Sequence, residues 1–137
     1  MIISEEKTKI KSADDLYDVM KNIYSLVPEE DKHKELAYCI GLNSQNIISY
    51  IDLVAIGTVN FAIPSKRECL RLAIVKNAVS IVFIHNHPSS GNCNPSIQDD
   101  KFTDELKRAC ELVEIKLLDH IILGEKSYFS YAEKEKV

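Results

Sequence analysis

Ile84-His85-Asn86-His87-Pro88 closes an apolar run with two imidazoles two residues apart. In extended backbone, residues two apart project to the same side, so both rings can reach one ion. Pro88 reinforces this by biasing His87 away from helical dihedrals. Neutral imidazole nitrogen is a good zinc ligand, and a catalytic zinc site takes three protein ligands and keeps one position open. Asp99 is the best candidate for the third ligand, because the loop after His87 returns the chain to the first turn of a helix that begins at Ser96. Each residue also has an ordinary reading. An isolated H-x-H is a weak motif, and Ser96 with Asp99 fits a helix capping box that needs no function. Asp100 becomes the rival ligand if the helix starts one residue later, and Glu35, at the start of an apolar strand, reads as a common solvent-facing carboxylate.

The elements that must position these groups follow from patterning. Ser12 as N-cap, Asp15 three residues on, and Leu16, Val19, Met20, Ile23 and Leu26 at helical spacing predict a helix that Pro28 ends. The charged stretch after it reads as a solvated loop carrying His33. Residues 35–42 read as a buried strand, 43–46 as a turn and 47–57 as the partner strand. Ser65 and Glu68 open a second helix, with Leu70, Leu72, Ala73 and Ile74, that stops near Asn77. Residues 79–84 are β-branched and apolar, as in a strand buried on both faces. The segment 88–95 is a loop, and the helix from Ser96 buries Phe102, Leu106, Ala109, Cys110 and Val113. Strands at 115–123 and 128–131 follow, with a frayed Glu- and Lys-rich end. From Ser12 the order is α-β-β-α-β-α-β-β, an α/β fold with one mixed β-sheet flanked by helices.

The 137 residues carry 17 basic and 21 acidic side chains, a formal charge of −4. That length suits a single domain over residues 1–137, large enough to fold without disulfides or a structural metal. The acidic balance gives no electrostatic support for nucleic-acid binding. No apolar run approaches the roughly 20 residues that span a bilayer, and the first residues lack a secretory signal pattern, so the expected location is the cytoplasm. Cys39, Cys69, Cys93 and Cys110 form no C-x-x-C pair. The first, second and fourth belong to apolar patterns and read as inert core thiols, whereas Cys93 lies in the loop beside the histidines. His120, within an apolar strand, reads as a hydrogen-bonded core or supporting group rather than a ligand.

Taken together, Glu35, His85-x-His87 and Ser96-x-x-Asp99 resemble the E…H-x-H…S-x-x-D pattern of the JAMM (JAB1/MPN/Mov34) metalloproteases. His85-Asn86-His87-Pro88-Ser89, Asn94-Pro95-Ser96 and the residues Leu117-Leu118-Asp119-His120-Ile121-Ile122-Leu123-Gly124 are similar to the RadC-type JAB domain in particular. Gly57-Thr58, the approach to the second helix and the closing Tyr128 segment also fit, so the likeness covers residues 33–133, with a strand and helix in 1–32 ahead of it. The resemblance implies a JAB/MPN-like fold, related to the cytidine-deaminase architecture. It also implies zinc on His85, His87 and Asp99 with water as fourth ligand, Glu35 deprotonating that water, and Ser96 stabilising the tetrahedral intermediate. The implied reaction is hydrolysis of a peptide or isopeptide amide in a peptide or protein substrate. Residues 88–95 make the segment between His87 and Ser96 one residue longer than the usual pattern, an extension a glycine-containing loop absorbs.

Two other function classes compete. The JAB/MPN fold also serves as a non-catalytic interaction module whose members lose ligands, but here the glutamate and all three ligand positions are filled. The DNA-repair label attached to RadC-type proteins suggests an accessory role in repair or recombination, which the charge does not favour. A zinc deaminase would require H-x-E followed by P-C-x-x-C, and the chain has no P-C-x-x-C.

Overall fold

The computed structural model describes residues 2–4, 8–57, 64–88 and 91–137. Thr58 and Ser89 of the motifs above lie outside the described residues. The chain order is β1 (Ile2–Ser4), α1 (Ala13–Ser25), a 3-10 turn (Glu29–Asp31), β2 (Leu36–Leu42), β3 (Ile48–Ile56), α2 (Lys66–Val75), β4 (Ser80–Asn86), α3 (Ile97–Leu112), β5 (Lys116–Leu123) and β6 (Tyr128–Ser130). The strands form one six-stranded sheet in the order β1-β3-β2-β4-β5-β6. All neighbours are antiparallel except β4 and β5, which are parallel. A parallel pair needs a long crossover, and α3 supplies it.

The sheet buries both faces, and the period of two sorts its side chains between them. Leu36, Tyr38, Ile40, Leu42, Val82 and Ile84 join Leu16, Val19, Met20 and Ile23 of α1 in one core. Ala37, Cys39, Ile81 and Phe83 join residues of α2 and α3, among them Cys69, Leu70, Phe102 and Leu106, in the other. This explains the continuous apolar run of β4, every residue of which is buried. In β5 the alternation changes phase. Ile81 pairs with Leu117 but Val82 pairs with Asp119, so Leu118 is an extra residue in a bulge. As a result Leu117 faces the α2/α3 core while Ile121 and Leu123 face α1.

Several expectations shift at element ends. Ser12 is the N-cap of α1 but makes no side-chain cap bond. The Lys11 N–H donates to Asp15 Oδ2 at 2.7 Å instead. Leu26, Ile74 and Val113 are 78%, 54% and 41% exposed, because each lies at or beyond the last helical turn, where the apolar stripe no longer meets the sheet. Ala109 is only partly buried. The C-terminal segment is tied down rather than frayed, with Lys134 and Lys136 N–H groups donating to the Ser130 and Tyr131 carbonyls.

Gly41 sits opposite Tyr50 in the β2–β3 pair, and a β-carbon there would lie 2.1 Å from Tyr50 Cε1. The Tyr50 ring is fully buried and has no room to withdraw. Gly41→Ala is therefore expected to destabilise the fold by at least ~1–3 kcal/mol, the usual scale of overpacking, as read from a lower urea midpoint.

Candidate metal centre

His85 is in the last turn of the ladder of β4, paired with Ala37, on the face that packs against α2 and α3. His87 follows two residues later on the same side, and its N–H donates to the Leu123 carbonyl at the end of β5. The third group arrives from the start of α3. Ser96 is its N-cap, and a complete capping box joins Ser96 to Asp99. The Asp99 N–H donates to Ser96 Oγ at 3.0 Å, and the Ser96 N–H donates to Asp99 Oδ2 at 2.9 Å. The S-x-x-D spacing thus has a mechanical meaning: the cap fixes the rotamer of a carboxylate that the first helical turn aims at the end of β4. By accepting in this box, Ser96 keeps its own hydroxyl proton available to donate.

The three groups converge. His85 Nε2 lies 3.1 Å from Asp99 Oδ1, His87 Nε2 lies 3.1 Å from Asp99 Oδ2, and the two Nε2 atoms are 3.2 Å apart. Four ligands arranged tetrahedrally at zinc distances of 2.0–2.1 Å are about 3.3 Å from one another, so these separations suit such an ion. The donor set of two imidazoles and a carboxylate suits it too. Burial alone would raise the Asp99 pKa, but its close contacts with His85 and His87 and the Ser96 N–H that it accepts hold it well below the carboxylate range. The Asp99 hydrogen bond raises the His87 pKa against the opposing effect of burial, and the charges of Asp99 and Glu35 add to the rise. Asp99 is 6% exposed. Asp100, the rival ligand, points elsewhere and accepts from the Tyr131 hydroxyl at 2.7 Å.

Glu35 is half-buried and immediately precedes β2. Its charge raises the pKa of both His87 and Tyr24. The residue between the two histidines fixes the backbone on either side of it. Asn86 Oδ1 accepts from the Leu36 N–H at 2.7 Å, and Asn86 Nδ2 donates to the Lys34 carbonyl at 3.2 Å. One carboxamide therefore extends the β2–β4 ladder past its last backbone pair and ties Glu35 to the H-x-H segment. Asn86→Ala leaves a buried N–H and a carbonyl without these partners, and is expected to cost ~1–3 kcal/mol in denaturant unfolding with faster exchange of the Leu36 amide.

His120 is not one of the converging ligands but stands behind one, its Nε2 2.9 Å from His85 Nδ1. Burial holds its pKa well below the ordinary imidazole value, which favours the neutral ring. Asp119 anchors the neighbouring segment, accepting from Ser130 Oγ, the Ala132 N–H and the His120 N–H. That anchor lays the Tyr131 ring on the His120 ring, centroids 4.7 Å apart and 11° from parallel. Cys93 makes a 3.4 Å contact with Ser127 Oγ, and Cys39, Cys69 and Cys110 are buried and free. His33 is exposed. A cleft of about 490 Å³ borders His87 on the α1 side, with Tyr17, Met20, Tyr24 and Pro88 in its walls.

A family model described as the RadC-like JAB domain matches residues 10–136, nearly all of the chain that builds this site. The chain belongs to the RadC-like JAB domain family. It is 38% identical over 126 residues to a UPF0758 protein of Chlorobium chlorochromatii (strain CaD3), covering 92% of this chain and 54% of that protein. A UPF0758 protein of Pelodictyon phaeoclathratiforme is 40% identical over 125 residues, 91% of this chain and 54% of that protein. One from Streptococcus sanguinis (strain SK36) is 42% identical over 104 residues, 76% of this chain and 45% of that protein. The chain spans about half the length of these curated relatives. Within this RadC-like JAB domain, His85, His87 and Asp99 form a group that could hold a metal ion. Among the described residues, no helix is long and apolar enough to cross a membrane.

Reading the sequence missed two residues at the site. Asn86 was legible only as part of a motif, because its partners are 50 and 52 residues away. Thr103 carries a weak signal, a hydroxyl set between Phe102 and Leu106 on the buried side of a helix.

Proposed function

We propose that this domain is a zinc-dependent hydrolase of the JAMM type that cleaves a peptide or isopeptide amide bond. One observation carries the reading: two imidazole nitrogens and a carboxylate, drawn from a strand end and a helix start, meet at the spacing of a tetrahedral ion. Zinc bound there supplies a water of lowered pKa and an electrophile for the amide carbonyl. Glu35 takes the proton from the attacking water and returns it to the leaving amine. Ser96 donates a hydrogen bond from its hydroxyl to the developing oxyanion, and the cleft beside His87 receives substrate residues. The substrate is a peptide or protein, and the domain works in the cytoplasm as a single folded unit.

The test joins metal analysis to a screen of peptidase and isopeptidase substrates. About one zinc per chain with amide cleavage supports the reading; one zinc with no cleavage across the screen favours the interaction module. Zinc uptake has an expected pH dependence. Each imidazole must be neutral to bind, and the raised His87 pKa means that protons compete at a higher pH than at an ordinary histidine. Zinc affinity is therefore expected to weaken as pH falls through a point above ~6.5, with proton release on binding in calorimetry below that point.

A further inference from the structure

Behind the converging groups, three buried polar side chains form a chain whose hydrogens can be counted. Thr103 Oγ1 lies 2.7 Å from the Asp99 carbonyl oxygen and 2.6 Å from His120 Nδ1. A carbonyl can only accept, so the single hydroxyl proton of Thr103 goes to Asp99, and the contact with His120 is a hydrogen bond only if His120 Nδ1 carries a proton. In the neutral ring, His120 Nε2 then has a lone pair. It lies 2.9 Å from His85 Nδ1, which must therefore be the donor. With its proton on Nδ1, neutral His85 presents a lone pair at Nε2, the atom that faces Asp99 and His87.

We propose that Thr103 and His120 are positioning residues that set the tautomer and ring orientation of His85, so that its Nε2 is ready for a metal ion. This rests on the metal-site reading above and adds to it the two residues that prepare the ligand. Thr103 and His120 are each 1% exposed. Phe83 meets the His120 ring edge-on at 5.0 Å and Tyr131 stacks on its face. In such an apolar enclosure an unpaired polar atom is costly, which favours the arrangement of protons that satisfies every contact in the chain. The chain also closes on itself, since Thr103 is four residues after Asp99 on α3 and bonds the main chain of that second ligand. His85 and Asp99 are thus joined through His120 and Thr103 before any ion arrives.

The tautomers can be read in the metal-free protein. The chain has four histidines, so histidine-selective 15N labelling gives an assignable long-range 1H–15N spectrum. At about pH 8.5, where imidazoles are neutral, His85 and His120 are both expected as Nδ1–H tautomers with unprotonated Nε2. An Nε2–H signal on either ring overturns the proposal. Zinc titration supplies the second measurement. Thr103→Val removes the acceptor at equal volume and is expected to weaken zinc binding by roughly 10- to 100-fold and to mix the His120 tautomers. Thr103→Ser keeps the hydroxyl and is expected to restore both. Wild-type zinc affinity in a folded Thr103→Val overturns the proposal. If the wild-type protein takes up no zinc, the metal-site reading fails, and the ring-nitrogen signals decide the relay by themselves.

Discussion

Asp99→Asn, His85→Ala and His87→Ala are each expected to lose more than ~100-fold in zinc affinity and to emerge from dialysis nearly metal-free by elemental analysis. The scale follows from comparison: removing partners that merely support a ligand costs 10- to 100-fold, so removing a ligand costs more. Asp99→Asn is the sharpest of the three. The new amide oxygen can still accept from the Ser96 N–H, so the start of α3 keeps its cap while the anion is gone. All three variants should keep the wild-type circular dichroism spectrum, as should the wild-type protein in chelator. The two cores on either side of the sheet carry the fold without the ion. Full zinc in Asp99→Asn would move the third ligand elsewhere, and chelator-induced unfolding would make the metal structural.

Glu35→Gln is expected to retain zinc and fold yet lose roughly 10²-fold or more in turnover of any cleavable amide. The substitution is nearly isosteric and leaves His85, His87 and Asp99 themselves unchanged. Asn86 grips the backbone at Lys34 and Leu36, not the side chain, so the position of residue 35 is preserved. What disappears is the carboxylate proposed as the proton acceptor. A carboxylate that only decorates the entry to β2 predicts unchanged turnover, and wild-type rates in Glu35→Gln would end the general-base assignment.

The parts of this architecture that depend on local chemistry were legible in the chain. The same-side projection of His85 and His87, the Ser96–Asp99 box, and the apolar run of β4 all arise within a few residues, and each lies where patterning places it. The convergence of Asp99 on the two histidines was legible because a capping box aims a side chain in a fixed direction. Features that require two distant segments were not. The Asn86 clamp spans 50 residues, Asp119 reaches Ser130 and Ala132, and the exposure of Leu26 and Val113 depends on where the sheet ends beneath each helix. The capping expectation at Ser12 erred for a related reason, since Asp15 reached one residue further back to Lys11.

The bulge at Leu118 gives the site a dependence on counting. Because side chains alternate strictly along a strand, the face that residue 120 occupies is set by the parity of the segment between Leu117 and His120, not by which amino acids fill it. Apolar exchanges at Leu117 or Leu118 that leave the Asp119 anchor in place keep His120 on the face of His85. Insertion or deletion of a single residue there turns the imidazole towards α1 and carries a different side chain under the strand end.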